Sequence, residues 1–375
     1  MPHRRVLRRL WREGGMSRLE LSRRIALRPN DAGRLAGALL AMGVLREGPA
    51  KPSTGGRPRV PLEIDPERRH VLGLAVEPGM VAARRVSLLG EPAGEPCELP
   101  ANDAAQVVAA TRRHLRRLAD DQTLLIGMSV TGFVDPDARK ILLSSALPDS
   151  PAVSLAPVYQ AAGPLPVLLE NDMHALAARW VMTRGAAAAE DVVLALLGDG
   201  RVGAAMLIGG RPNRGCAIGA NELGHVRFFA DTERCYCGHK GCLERICSSR
   251  FLRGLDRRNR AGLIARARRM DASDRALRVV LDHLGMGLAN VVNFVRPSRL
   301  VLAGPLSACA EFRAALAESM RGSLLPLLAD RVIVEAWDPP LAADPAETAA
   351  WLALASLYCE EWNGHALPAA PASAD

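Results

Sequence analysis

The residues best placed to do chemistry lie together between Asn221 and Glu244, in the stretch NELGHVRFFADTERCYCGHKGCLE. There His225 precedes Cys235, Cys237 and Cys242. Zinc prefers soft thiolate and imidazole ligands, and three Cys with one His make a closed tetrahedral set of the structural kind. Two cysteines one residue apart reach a single metal only from a tight loop. Gly238 and Gly241 give the backbone the freedom to bring Cys242 back to the same point. The competing reading is a disulfide in a secreted chain. No basic start followed by an apolar segment is present, so the expected compartment is the cytoplasm, where clustered cysteines point to metal or catalysis.

Glu222 lies three residues before His225, and Glu244 two after Cys242. A metal loop that pins two carboxylates is a way to hold acceptors for hydroxyl groups in a fixed arrangement. Spacing alone fits two solvated surface glutamates equally well.

The pattern Glu222-Leu-Gly-His225, then Cys235-Tyr-Cys237-Gly-His-Lys-Gly-Cys242-Leu-Glu244, closely resembles the signature of the ROK family of repressors, open reading frames and sugar kinases. The resemblance implies that His225, Cys235, Cys237 and Cys242 bind a structural zinc ion. It also implies that Glu222 and Glu244 touch a sugar's hydroxyls, with the other ring nitrogen of His225 offered to the sugar. An Asn-Asp pair that grips the sugar in this family matches Asn171-Asp172, and in the kinases that Asp is the general base. The chemistry is sensible, since an amide donates and accepts while a carboxylate accepts or takes a proton. Helix capping by Asn or Asp is the plain alternative.

The phosphate side departs from the kinase pattern. Where the kinases have Asp-x-Gly-Gly-Thr, this chain has Ala75-Val-Glu77-Pro78-Gly79. Pro78 lacks an amide donor, and Glu77 adds negative charge where ATP would bring more. A Thr-Gly-x-Gly turn becomes Gly200-Arg201-Val202-Gly203, and a Gly-rich turn near the adenine becomes Ala303-Gly304-Pro305-Leu306. ATP-dependent catalysis is therefore not expected. Arg201 has the charge to hold a phosphate, so a sugar phosphate stays open as ligand.

Charge locates the other activity. Of 48 Lys+Arg and 40 Asp+Glu, residues 1–70 carry 16 and 7, leaving 32 and 33 for the remainder. All the excess positive charge thus sits in the first fifth of the chain, as in a module that meets DNA. Residues 3–14 place Val6, Leu7, Leu10 and Trp11 on one helical face. Ser17-Arg-Leu-Glu20 is a capping box opening a second helix to about Ala26. Pro29 and Asn30 break and cap again, and a third helix runs from Asp31 to Met42, stopped by Gly43. Residues 44–46 and 59–64 could pair as a wing. Three short helices and a hairpin are the parts of a winged helix-turn-helix. In ROK repressors such a module ends in Gly-Arg-Pro, matched here by Gly56-Arg57-Pro58-Arg59, whose Arg57 and Arg59 suit a narrow minor groove. Asn30, Asp31 and Arg34 would face the bases, and Arg23, Arg24 and Arg28 the phosphates.

The expected fold class is thus an α+β winged helix-turn-helix over residues 1–66, followed by a two-lobed α/β actin-like (ribonuclease H-like) ROK domain over 71–362 with a structural zinc loop. Strands at 71–76, 81–89, 123–130, 165–169, 191–197, 203–208, 299–303 and 331–335 alternate with helices. The small lobe would take residues 71–170 and the helix near 345–360, and the large lobe 171–343. The Ala/Pro-rich tail 363–375 reads as disordered. No apolar run is long enough to span a bilayer. Cys97, Cys216, Cys247, Cys309 and Cys359 read as buried inert thiols.

The resulting expectation is a sugar-responsive repressor that binds operator DNA as a homodimer or homotetramer. Its effector is a sugar or sugar phosphate. The alternative is a ROK sugar kinase with Asp172 as base. A sugar-transport protein is a further partner class that the resemblance implies, with the loop Arg227–Lys240 as its surface.

Overall fold

The structure, a computed structural model, describes residues 2–50, 60–148, 150–184, 190–215, 221–337, 344–359 and 362. Arg57, Arg59, Cys216 and the tail 363–375 lie outside the described residues.

The chain begins with three helices: α1 (Pro2–Glu13), α2 (Arg18–Arg24) and α3 (Pro29–Ala41). Val6, Leu7 and Leu10 of α1 are buried, as their helical spacing requires. The capping box forms, with the Glu20 amide donating to Ser17 and the Ser17 amide donating to the Glu20 carboxylate. Pro29 does not break the chain ahead of α3, as the sequence suggested, but is its first residue. Its missing N–H costs nothing there and its fixed φ suits a helix start. Asn30 is consequently inside the helix, not its cap. The strands β1 (Leu45–Glu47) and β2 (Leu62–Ile64) pair antiparallel.

Two five-stranded sheets follow. The first uses β3 (His70–Glu77), β4 (Gly79–Ser87), β5 (Pro92–Ala101), β6 (Thr123–Val130) and β10 (Val167–Asn171), with α4 (Ala104–Leu118) between β5 and β6. A small sheet of β7 (Gly132–Asp135), β8 (Lys140–Ser144) and β9 (Val153–Ser154), then α5 (Ala156–Ala162), separates β6 from β10. After α6 (Asp172–Thr183), the second sheet uses β11 (Val192–Gly198), β12 (Arg201–Ile208), β13 (Arg211–Pro212), β14 (Arg299–Ala303) and β15 (Ile333–Ala336). Between β13 and β14 lie α7 (Leu243–Ile246), α8 (Ser249–Leu255), α9 (Leu263–Arg269) and α10 (Arg275–Val295); α11 (Ala310–Arg321) and α12 (Pro345–Tyr358) complete the chain.

The strand orders are β10-β6-β3-β4-β5 and β13-β12-β11-β14-β15. Each sheet is the same design: an antiparallel three-stranded meander whose first strand also pairs with a parallel strand, which in turn pairs with a second parallel strand at the sheet edge. β5 carries Pro92, Pro96 and Pro100, which only an edge strand tolerates because no neighbour needs the missing amides.

Alternation decides what faces the space between the sheets. Leu72, Leu74 and Val76 of β3 and Ile126, Met128 and Val130 of β6 join one core cluster. Gly73, Ala75 and Glu77, with Gly127 and Ser129, therefore point to the opposite face, where α12 packs. A Cβ on Gly73 would fall 1.8 Å from the Ala346 carbonyl, and one on Gly127 2.1 Å from that of Ala349. The glycines let α12 lie directly on the sheet backbone.

α6 and α12 are tied by the Arg179–Glu347 ion pair at 2.8 Å. α1 docks on both. The Trp11 ring lies 5.9 Å from Trp351 and 5.1 Å from Tyr358 of α12, and its indole N–H donates to the Met182 carbonyl of α6 at 3.2 Å. Among the described residues, no helix is long and apolar enough to cross a membrane.

Candidate functional site

β10 runs straight into α6, and the junction sets two of the expected residues. The Asn171 side chain accepts from the Met173 amide at 2.6 Å and donates to the Gly132 carbonyl at 2.8 Å. The capping role is thus realised. Asp172 opens the helix and turns its other oxygen outward, onto Arg201.

The cysteine loop supplies the rest. Leu223–His225 form a 3-10 turn beside β12, and α7 starts immediately after Cys242. Gly238 (φ +90°) and Gly241 (φ +81°) sit in the left-handed region, as the tight return required. The donor atoms of His225, Cys235, Cys237 and Cys242 all lie within 4.8 Å of one another. Cys235 Sγ is 3.7 Å from His225 Nδ1, and Cys237 Sγ is 3.5 Å from Cys242 Sγ. Bond lengths of about 2.3 Å to sulfur and 2.0–2.1 Å to nitrogen give tetrahedral edges of roughly 3.5–3.8 Å, so the set can hold a metal ion. Burial would raise the Cys235 thiol, but its hydrogen bonds with His225, the Cys237 backbone and Arg245 hold it at about 6. Burial pushes the Cys242 thiol up to about 12.

Asn171, Asp172, Glu222, His225 and Glu244 line one cavity. All five residues expected from the sequence are therefore brought together, from the β10–α6 junction, the 3-10 turn with its preceding residue Glu222, and α7. Burial pushes Glu222 and Glu244 each up to about 7, against the pull of His225. An acid poised there offers a hydroxyl both a donor and an acceptor.

Two further residues of the cavity change its chemistry. Arg201 opens β12 opposite Gly198. Its guanidinium donates to Glu77 at 2.8 and 3.2 Å and to Asp172 at 2.6 Å. One arginine thus bridges the first sheet, α6 and the second sheet. Tyr236, between two of the cysteines, places its hydroxyl 3.0 Å from His225 Nε2. The nitrogen expected to face a sugar has a protein partner. Arg201 was noticed in the sequence only as a potential phosphate holder. The single hint of Tyr236 was an aromatic residue wedged between two metal-type cysteines.

On the other side of Arg201 lies a cavity of about 400 Å³ lined by Glu77, Glu98, Asp172 and Asp199 together with apolar residues such as Met80 and Ile264. This is where the altered phosphate motifs converge. Four carboxylates line this cavity, and its guanidinium is already shared between two of them, Glu77 and Asp172.

In the N-terminal module, Arg23, Arg24, Arg28, Asn30, Asp31 and Arg34 are all exposed. Arg34 lies 3.7 Å from Asp31, and Arg24 lies 3.8 Å from Glu13. Exposed positions recur along α3 at 30, 31, 34, 37, 38 and 41, a continuous solvent face. Apart from Asn30, Asp31 and Arg34, that face is Gly37, Ala38 and Ala41. Of the remaining cysteines, Cys247, Cys309 and Cys359 are buried and Cys97 is half-buried.

Two sheets of one topology around a cleft, with a ligand-type cavity at the β10–α6 junction, define an α/β protein of the two-lobed actin-like class. The ROK family model matches residues 94–349, more than half of the 375, and the chain belongs to the ROK family. It is similar to the DNA-binding transcriptional repressor Mlc of Escherichia coli (strain K12), 26% identical over 86% of this chain and 85% of that protein. It is also similar to the xylose repressor of Caldicellulosiruptor bescii, 25% identical over 78% of this chain and 80% of that one. A solved ROK family transcriptional regulator, a homologue of the E. coli Mlc protein, shares the fold with a TM-score of 0.77. That likeness covers 95% of this chain and 96% of the other, at 20% identity.

Proposed function

We propose that this protein is a sugar-responsive DNA-binding transcriptional regulator, a repressor, without ATP-dependent kinase activity. The observation that carries the reading is the N-terminal module: a helix with an unobstructed solvent face beside a hairpin, docked on the effector lobes through Trp11. Three helices and the β1–β2 hairpin suit a winged helix-turn-helix over residues 1–66, with α3 entering the major groove. Asn30, Asp31 and Arg34 reach bases, while Arg23, Arg24 and Arg28 meet phosphates. Arg57 and Arg59 follow the minor groove. Similarity to Mlc and to a xylose repressor supports this assignment.

The cavity at the β10–α6 junction is the effector site. Asn171, Asp172, Glu222, His225 and Glu244 hold the hydroxyls of a sugar. His225, Cys235, Cys237 and Cys242 hold a structural zinc ion, which fixes the turn bearing Glu222 and the helix bearing Glu244. Binding shifts a two-state equilibrium only insofar as the sugar prefers one state over the other. The regulator acts as a homodimer or homotetramer, so that two modules meet two half-sites.

The kinase alternative would need Asp172 free to take a proton from the sugar. As folded, Asp172 is instead paired with Arg201 at 2.6 Å, and the acidic lining of the neighbouring cavity opposes a triphosphate whether or not that pair opens. The test is retardation of DNA from the gene's own neighbourhood by the purified protein, beside ATP consumption with the same hexoses. Retardation without ATP turnover is expected. Hexose-dependent ATP turnover would overturn the assignment.

A further inference from the structure

As folded, the effector site is nearly full. Its cavity measures about 40 Å³. That is room for a few waters at most, at ~10–15 Å³ each, whereas pockets that hold small molecules span roughly 300–1,000 Å³. Arg201 and Tyr236 occupy the room. The Arg201 guanidinium supplies a donor to Asp172, and the Tyr236 hydroxyl pairs with His225 Nε2. These are the two hydrogen-bonding positions that sugar hydroxyls would take, so the protein's own side chains stand in for the ligand.

Neither side chain is locked there. Arg201 stands on the partition between this cavity and the one of about 400 Å³ beside it, which also holds Glu77, Glu98 and Asp199. The guanidinium can leave Asp172 for that larger space while keeping Glu77. The Tyr236 ring meets His225 edge-on at 5.0 Å and lies under the Arg245 guanidinium at 5.8 Å. Breaking its contact with His225 costs one hydrogen bond and no buried charge.

Charge restricts what can displace them. Asp172, Glu222 and Glu244 face the cavity, and Arg201 is already shared between two carboxylates. A phosphate or carboxylate on the ligand would meet an excess of negative charge at short range. Neutral hydroxyls meet only acceptors and donors.

We propose that Arg201 and Tyr236 are the specificity-determining residues of this pocket: they satisfy its sugar-binding groups when it is empty, and they yield only to an uncharged polyhydroxylated ring that replaces both hydrogen bonds. The proposal rests on the reading of this cavity as the effector site. It narrows the ligand from sugar or sugar phosphate to uncharged sugar.

Calorimetric titration of the full chain tests it, with glucose, xylose, N-acetylglucosamine and glucose 6-phosphate as probes against wild type, Arg201→Gly and Tyr236→Phe. At least one uncharged sugar is expected to bind Arg201→Gly about tenfold or more tighter than wild type, the worth of a charged hydrogen bond that no longer has to be broken. Tyr236→Phe, which keeps the ring and should keep its zinc content, is expected to bind it several-fold tighter. Glucose 6-phosphate should bind wild type more weakly than glucose. If a sugar binds wild type and both variants bind it equally or more weakly, this proposal fails while the effector site stands. Tighter binding of glucose 6-phosphate than of glucose also overturns it. If no probe binds any of the three proteins, the proposal and the effector-site reading fall together.

Discussion

The indole N–H of Trp11 donates to the main-chain carbonyl of Met182, 3.2 Å away and 171 residues later in the chain. This contact joins the first helix of the basic module to the last turn of α6, the helix that opens on Asp172. One helix therefore runs from the β10–α6 cavity to the module, and α12 packs on the Trp11 end of it through Trp351 and Tyr358.

Replacing Trp11 with Ala should cost stability and coupling together. Truncating a well-packed Trp costs about 3–5 kcal/mol when fully buried, and Trp11 is half-buried, so a loss of roughly 2–3 kcal/mol is expected in urea unfolding. The variant should still retard DNA while responding less to the effector. An unchanged effector response would remove Trp11 from the signalling route.

The metal set can be tested by replacing Cys235 or Cys237 with Ser. Metal content, measured by atomic emission, is expected to fall from about one zinc per chain to near zero, as loss of one of four ligands implies. Effector response should disappear with it, because Glu222 and Glu244 lose their fixed positions. DNA retardation in the absence of effector should persist. A metal-free variant that keeps its sugar response would break the link between the two sites.

A pair of glycine substitutions checks the packing. Gly73→Ala drives a Cβ into the Ala346 carbonyl and should destabilise the protein by about 1–3 kcal/mol or more. Gly37→Ala, inside α3 with nothing within 4 Å of the new Cβ, should stabilise it by roughly 0.5–1 kcal/mol. Thermal unfolding of both variants separates the two effects.

Glu170 gives a pH dependence with a definite sign. Burial opposes its ionisation, but the His174 hydrogen bond and charge and the Arg214 guanidinium hold its carboxyl below the usual 4.5. A carboxyl whose folded value is depressed contributes stability that is complete above 4.5 and is lost as pH falls through the folded value. Glu170→Gln should flatten that part of the stability profile in acid. An unaltered acid profile would show that the pair contributes nothing.

The metal set was legible in the sequence because ligation dictates residue types and short spacing, and His225 with the three cysteines meets both. The sheets were legible wherever apolar runs met helical periods. β5 was not, because its three prolines read as loop, and only its position at the sheet edge lets them stand in a strand. The β7–β8–β9 sheet escaped for another reason: short strands with few buried residues leave almost no pattern. Arg201 was visible, but its partners were not. Glu77 lies 124 residues before it and Asp172 29, and only the closing of two sheets around one cleft brings the three together. Tyr236 likewise has no local signature for its bond to His225, which depends on the fold of the cysteine loop.

The central claim, that occupancy of the β10–α6 cavity controls DNA binding, is tested most directly by one titration. Fluorescence anisotropy of labelled DNA from the gene's own neighbourhood would be followed at fixed salt, because phosphate contacts make affinity steeply salt-dependent. Uncharged sugars would be added to wild type and to Glu244→Gln. One sugar is expected to release the DNA from wild type, and Glu244→Gln to need a far higher concentration of it. Release at the same concentration from both proteins, or DNA binding indifferent to every sugar, would contradict it.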